Sequence, residues 1–230
     1  MANFEQHLKF AAVGSGVLAT VLLGADMVTP LQAMGLWLVG SMGGILPDID
    51  SDNSTVLDIL FGGLSLIGIS LVLSQWAGEL STVEIWLLIA GYYVVMFHII
   101  RRIFEKFTVH RGIFHSIIGG LFFGFLTTAS ASLLLGFEDT LAWLTGSFLL
   151  FGFLTHLVLD EIYSVDFMNV RIKRSFGTAL KVVDYNNWTV SALMTVAAGL
   201  AFALTPNFDA FSQLLTSQET YLQLKTHFLP

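Results

Sequence analysis

Apolar residues fall into seven long runs separated by short polar stretches, at 8–23, 31–46, 56–76, 85–100, 113–135, 141–159 and 188–204. Runs of this length predict membrane-spanning helices, since about 20 residues of helix cross a hydrocarbon core of about 30 Å. The second and fourth hold only 16 residues each, so they predict thin or tilted spans, or spans lengthened by their polar flanks. The first run ends near the small residues Gly24 and Ala25, as a signal peptide does, but Glu5 offsets Lys9 where a signal peptide carries a positive start.

Composition makes the same case. Of 230 residues, 55% are hydrophobic and 12% charged, against about 25% charged in an ordinary soluble domain, and the mean hydropathy is +0.76. The expected fold is all-α, a polytopic transmembrane bundle of about seven spans forming one domain over 1–230, with a C-terminal tail at 206–230. The chain has no cysteine, which excludes disulfides, thiolate metal sites and cysteine nucleophiles. A net charge of −7 lacks the basic footprint of a nucleic-acid binder. Membrane lipids are the expected partners, and nothing in the chain fixes an oligomeric state.

Basic residues orient the bundle, because Lys and Arg gather in cytoplasmic loops. Nine of the ten fall on one side if the N-terminus is cytoplasmic: Lys9, Arg101, Arg102, Lys106, Arg111, Arg171, Lys173, Arg174 and Lys181. Only Lys225 lies opposite, and seven spans then put the C-terminus outside.

Titratable residues at membrane depth are costly and mark function. Here they gather in four places, all on the side that the basic residues make cytoplasmic. His7 precedes the first run, and Leu46-Pro47-Asp48-Ile49-Asp50 follows the second. His110-Arg111-Gly112-Ile113-Phe114-His115-Ser116 opens the fifth, and His156-Leu157-Val158-Leu159-Asp160 closes the sixth. His156 and Asp160 stand four residues apart on one helical face, as two ligands of one metal do. His110 and His115 flank Gly112, where a turn can aim both rings inward. His115 heads an apolar run in which an unpaired imidazole is expensive. Pro47 breaks the helix, so Asp48 and Asp50 can face one point. His7 is either a ligand folded over the same face or a surface histidine. Arg111 is either a clamp for a phosphate or carboxylate or a simple orienting charge, and the 175–181 loop is either an anion site or a cytosolic turn. His98 and His227 read as bystanders. Small-xxx-small pairs at Gly40/Gly44 and Gly120/Gly124 mark places where helices could approach closely.

The chain has no His-Glu-x-x-His, Gly-x-Ser-x-Gly or Walker motif, which removes zincin, serine-hydrolase and P-loop chemistry. Up to seven nitrogen and oxygen ligands remain: His7, Asp48, Asp50, His110, His115, His156 and Asp160. They are too many for one tetrahedral zinc and suit two or more ions.

At these residues the chain resembles the YdjM family of LexA-regulated, membrane-bound, metal-dependent hydrolases. His7, Leu46-Pro47-Asp48-Ile49-Asp50, His110-Arg111-Gly112-x-x-His115-Ser116 and His156-x-x-x-Asp160 carry the likeness, over residues 1 to about 185. Family members often continue the aspartate motif with His, where this chain has Ser51-Asp52. The family is similar in its His and Asp pattern to the phospholipase C and P1 nuclease group, which implies a zinc-dependent phosphoesterase.

The expectation is a hydrolase of the bacterial inner membrane, its site facing the cytoplasm. Its metal is a divalent ion, zinc first, with manganese or magnesium as alternatives. Its substrate is a phosphoester such as a lipid headgroup, with Asp48 or Asp50 as proton acceptor and Arg111 on the phosphate. The competing reading is a divalent-metal transporter using the same His and Asp residues. A structural or partner-binding membrane protein is a third, and it leaves the convergence of His and Asp unexplained.

Overall fold

The computed structural model describes residues 3–50, 54–76, 78–102, 112–166, 171–172 and 180–228. The structure is helical, and each of the seven apolar runs is a helix. α1 is Phe4–Gly24, α2 Pro30–Gly43, α3 Ser54–Trp76, α4 Thr82–Val94, α5 Ile117–Leu133, α6 Asp139–Ser164 and α7 Trp188–Ala203. The helix starts are written locally. α1, α2 and α4 open with capping boxes, Asn3/Gln6, Thr29/Gln32 and Ser81/Glu84, in which two orphan amides are satisfied reciprocally. Pro30 stands in the first turn of α2, where its missing N–H costs nothing.

α1, α6 and the helix Thr82–Ile100 are each long and apolar enough to cross a membrane, while α5 and α7 are shorter apolar helices. α2 is thin: its 14 residues rise about 21 Å, and the chain passes into a 3-10 turn, Leu46–Asp50. The fourth span gains length because a π-helical stretch, Val95–Ile100, continues α4.

The chain forms two compact units. The first comprises Met1–Pro47 and Ile113–Pro230. In it α6 is the central element, with 67% of its apolar window buried, and it packs against α1, α2 and α5 while α7 packs on α5. Both small-residue pairs lie in contacts of this unit. A Cβ on Gly40 would sit 2.2 Å from Ser15 Oγ, and one on Gly120 2.8 Å from Phe153 Cδ1. The segment 206–230 is more than a tail. It holds α8, Asp209–Thr216, and α9, Gln218–Phe228. Phe211 of α8 is buried with Trp143, Phe148 and Leu36, and the Trp143 indole donates to the Pro206 carbonyl at 3.2 Å.

α5 begins at Ser116, whose hydroxyl accepts from the Gly119 amide at 3.2 Å and donates to the Ile113 carbonyl. Two more orphan amides of this end, Ile117 and Ile118, donate to the carbonyls of Lys181 and Val182 at 2.9 and 3.0 Å. The loop expected to hold an anion or form a plain turn thus uses its described end, in part, as a backbone cap. Lys181 there pairs with Asp184 at 3.2 Å. A two-residue antiparallel ladder, Val165–Asp166 with Arg171–Ile172, follows α6.

The second unit is Asp48–Gly112, a pair formed by α3 and α4 with its π-helical continuation. Arg101 reaches Asp58 at 2.5 Å and lies 5.9 Å over the Phe97 ring. The hairpin thus has an ionic tie as well as apolar contacts.

Candidate metal centre

Three titratable side chains of the first unit meet in its interior. His7 comes from the first turn of α1, and His156 and Asp160 come from α6. They are 2%, 0% and 3% exposed, a burial that charged or basic groups tolerate only with a partner. His7 Nε2 lies 3.2 Å from Asp160 Oδ1, and His156 Nε2 lies 4.0 Å from Asp160 Oδ2. The His7 and His156 rings stack with centroids 3.6 Å apart and planes 13° from parallel. His115, also buried, stands edge-on to His156 at 5.5 Å.

Local sequence explains these positions. On α1 the buried residues are His7, Ala11, Ser15 and Ala19, an i, i+4 stripe of small side chains that lets α1 lie close and turns His7 inward. His156 and Asp160 share a face of α6, as their spacing predicts. His115 immediately precedes the Ser116 cap, so the start of α5 holds it in place.

The donor set fits a divalent cation. One donor atom from each of His7, His156 and Asp160 lies within 4.8 Å of the other two, where ligands of a tetrahedral zinc at about 2.0–2.1 Å stand about 3.4 Å apart. His156 Nδ1 lies 2.8 Å from the Gly44 carbonyl. A carbonyl only accepts, so the ring proton belongs on Nδ1, and in the neutral ring Nε2 presents a lone pair. That lone pair faces a carboxylate oxygen, an arrangement of two acceptors that a cation between them relieves. Ligating histidines commonly donate the other ring N–H to a carbonyl in this way. His7 Nδ1 makes no hydrogen bond among the described residues.

Of the seven ligands expected from the sequence, the first unit therefore brings together His7, His115, His156 and Asp160. Asp48 is half-buried in the 3-10 turn Leu46–Asp50, and Asp50 ends that turn. His110 and Arg111 lie outside the described residues, as do Ser175 and Thr178. His98 sits in the π-helical stretch and His227 near the end of α9. The Gly44 carbonyl, a backbone group, has no residue type to mark it in the sequence. Its one signal was the Gly40/Gly44 pair just before the Pro47 break.

These features define a helical membrane protein with a buried His/Asp group able to hold a metal ion. A family model described as YdjM inner membrane protein matches residues 1–172, and the chain belongs to that family. The match takes in His7, His115, His156 and Asp160 and stops before α7. Neither a curated protein nor a solved structure matches the chain.

Proposed function

We propose that the protein is a membrane-embedded, metal-dependent hydrolase, acting on a phosphoester such as a lipid headgroup at the cytoplasmic face of the inner membrane. The observation that carries this reading is the burial of His7, His156 and Asp160 with their donor atoms at ligand spacing. A divalent ion held there supplies Lewis acidity toward a phosphoryl oxygen and activates water at neutral pH. The chain's own residues do the rest. His7, His156 and Asp160 bind, with His115 beside them, and Phe153 and Leu157, each 0% exposed, form the apolar core of the same helix. Asp48 or Asp50 is the proton acceptor of this proposal, and Arg111 is its phosphate anchor.

The ligands stand near helix ends, in the first turn of α1 and the last turns of α6. A transport site belongs nearer the middle of the bilayer with a path to both faces, so position favours the hydrolase over the transporter. Purified full-length protein, prepared without chelator, is expected to hold zinc and to release phosphate or a headgroup from a panel of phosphoesters and phospholipids. Zinc flux into liposomes with no turnover on that panel would instead establish the transporter, and protein that binds no divalent metal would remove both readings.

A further inference from the structure

α6 carries Gly152, His156 and Asp160 at steps of four, so one face of the helix presents all three. α2 lies against that face backbone to backbone. A Cβ on Gly152 would come within 1.9 Å of the Gly40 carbonyl oxygen and 2.9 Å of the Gly44 amide nitrogen, distances that no side chain can occupy. One turn further along α6, the same approach delivers the Gly44 carbonyl to His156 Nδ1 at 2.8 Å. Gly44 is itself pressed from the other side. Its Cβ would lie 2.2 Å from the Cβ of Ala11 and 3.3 Å from the His7 carbonyl. Two close crossings, α2 on α6 and α1 on α2, therefore end at the two stacked imidazoles.

We infer that Gly152 and Gly44 are positioning residues for the metal centre: backbone contact at Gly152 sets the Gly44 carbonyl on His156 Nδ1, which holds the ring proton there and turns Nε2 toward Asp160. Gly44 also fixes how deeply α1 sits, and so where the His7 ring meets that of His156. The consequence for metal affinity rests on the reading of the site as a metal centre, whereas the proton on Nδ1 follows from the geometry alone.

The test compares Gly152→Ala with Gly146→Ala in the full-length protein. Gly146 is a matched control, since its Cβ would lie 1.9 Å from Thr128 Oγ1 and 2.5 Å from the Gly124 carbonyl. That contact is as crowded as the one at Gly152, but it faces α5, ten residues before His156. Protein labelled with 15N-histidine and treated with chelator reports by NMR which ring nitrogen of His156 carries the proton, with His156→Gln identifying the signal. Titration with Zn2+ reports affinity, and a thermal melt reports the structural cost. Wild type is expected to show the Nδ1–H form. Gly152→Ala is expected to shift the ring toward Nε2–H and weaken zinc by about 10- to 100-fold, the usual effect of losing a ligand's outer partner. Gly146→Ala is expected to melt lower while keeping wild-type tautomer and affinity. Wild-type His156 in the Nε2–H form, or equal losses of zinc in the two variants, would overturn the inference. Even if Gly152→Ala fails to fold, wild-type His156 in the Nε2–H form still overturns the inference. Zinc bound with the wrong tautomer defeats this inference alone, whereas the Nδ1–H form without zinc binding defeats the metal-centre reading and the role it gives these glycines.

Discussion

At the scale of single residues, the site is a collection of side chains that are individually expensive. His156 and Asp160 pack into the most buried helix of the first unit, and His7 meets them from the start of α1. Replacing His156 or Asp160 with alanine is expected to abolish stoichiometric zinc binding, read by metal analysis after gel filtration. The apolar packing of α6 is untouched, so both variants should still insert and elute as wild type. His227→Ala should retain full metal content, and equal retention in His156→Ala would place the site elsewhere. His7→Ala tests the least legible ligand and should weaken zinc more than tenfold, since a first-sphere donor counts for more than an outer partner. The pairing of His156 with Asp160 was readable because helical spacing is a local property. That of His7 was not, because its partners lie about 150 residues away in sequence and only the small stripe Ala11, Ser15, Ala19 hints at which way it faces. Gly44 contributes a carbonyl, which every residue has and no residue letter announces.

Among the elements, α5 shows how a short apolar helix is fixed at the end that carries a site residue. Its first amides are taken by Ser116 and by the carbonyls of Lys181 and Val182. Ser116→Ala is expected to destabilise the protein by about 1 kcal/mol, the usual cost of losing an N-cap, and Ser116→Thr, which keeps a hydroxyl that both donates and accepts, should recover most of it. Unfolding in mixed micelles measures both, and a Ser116→Ala variant as stable as wild type would show that the 181–182 carbonyls cap the helix unaided. The helices themselves were legible, since each of the seven apolar runs became one. The π-helical stretch Val95–Ile100 was not, because a change of hydrogen-bond step leaves the residue pattern unaltered. Nor were α8 and α9. α9 is mostly polar and α8 is half polar, and what orders α8 is Phe211 packing on Trp143, a contact between distant segments.

For the whole molecule, the distribution of Lys and Arg implies a cytoplasmic N-terminus and an external C-terminus. Reporter fusions after Pro230 should be active only outside the cytoplasm, and cytoplasmic activity would break the link between the positive side and the metal ligands. The helical fold class was open to a reader of the chain, while the meeting of α1 with α6 depended on close packing that small residues permit without requiring. That meeting also has a bearing on biogenesis. His7 leaves the ribosome 153 residues before Asp160, an interval of about 8 to 30 s at ordinary synthesis rates, and throughout it α1 resides in the bilayer without the helix that completes its ligand set. On the proposed metal-centre function, loading is expected to be a late event that reports on correct assembly. A chain stopped after α5 should reach the membrane and hold no zinc, and pulse-labelled full-length protein should acquire zinc only after α6 has been integrated.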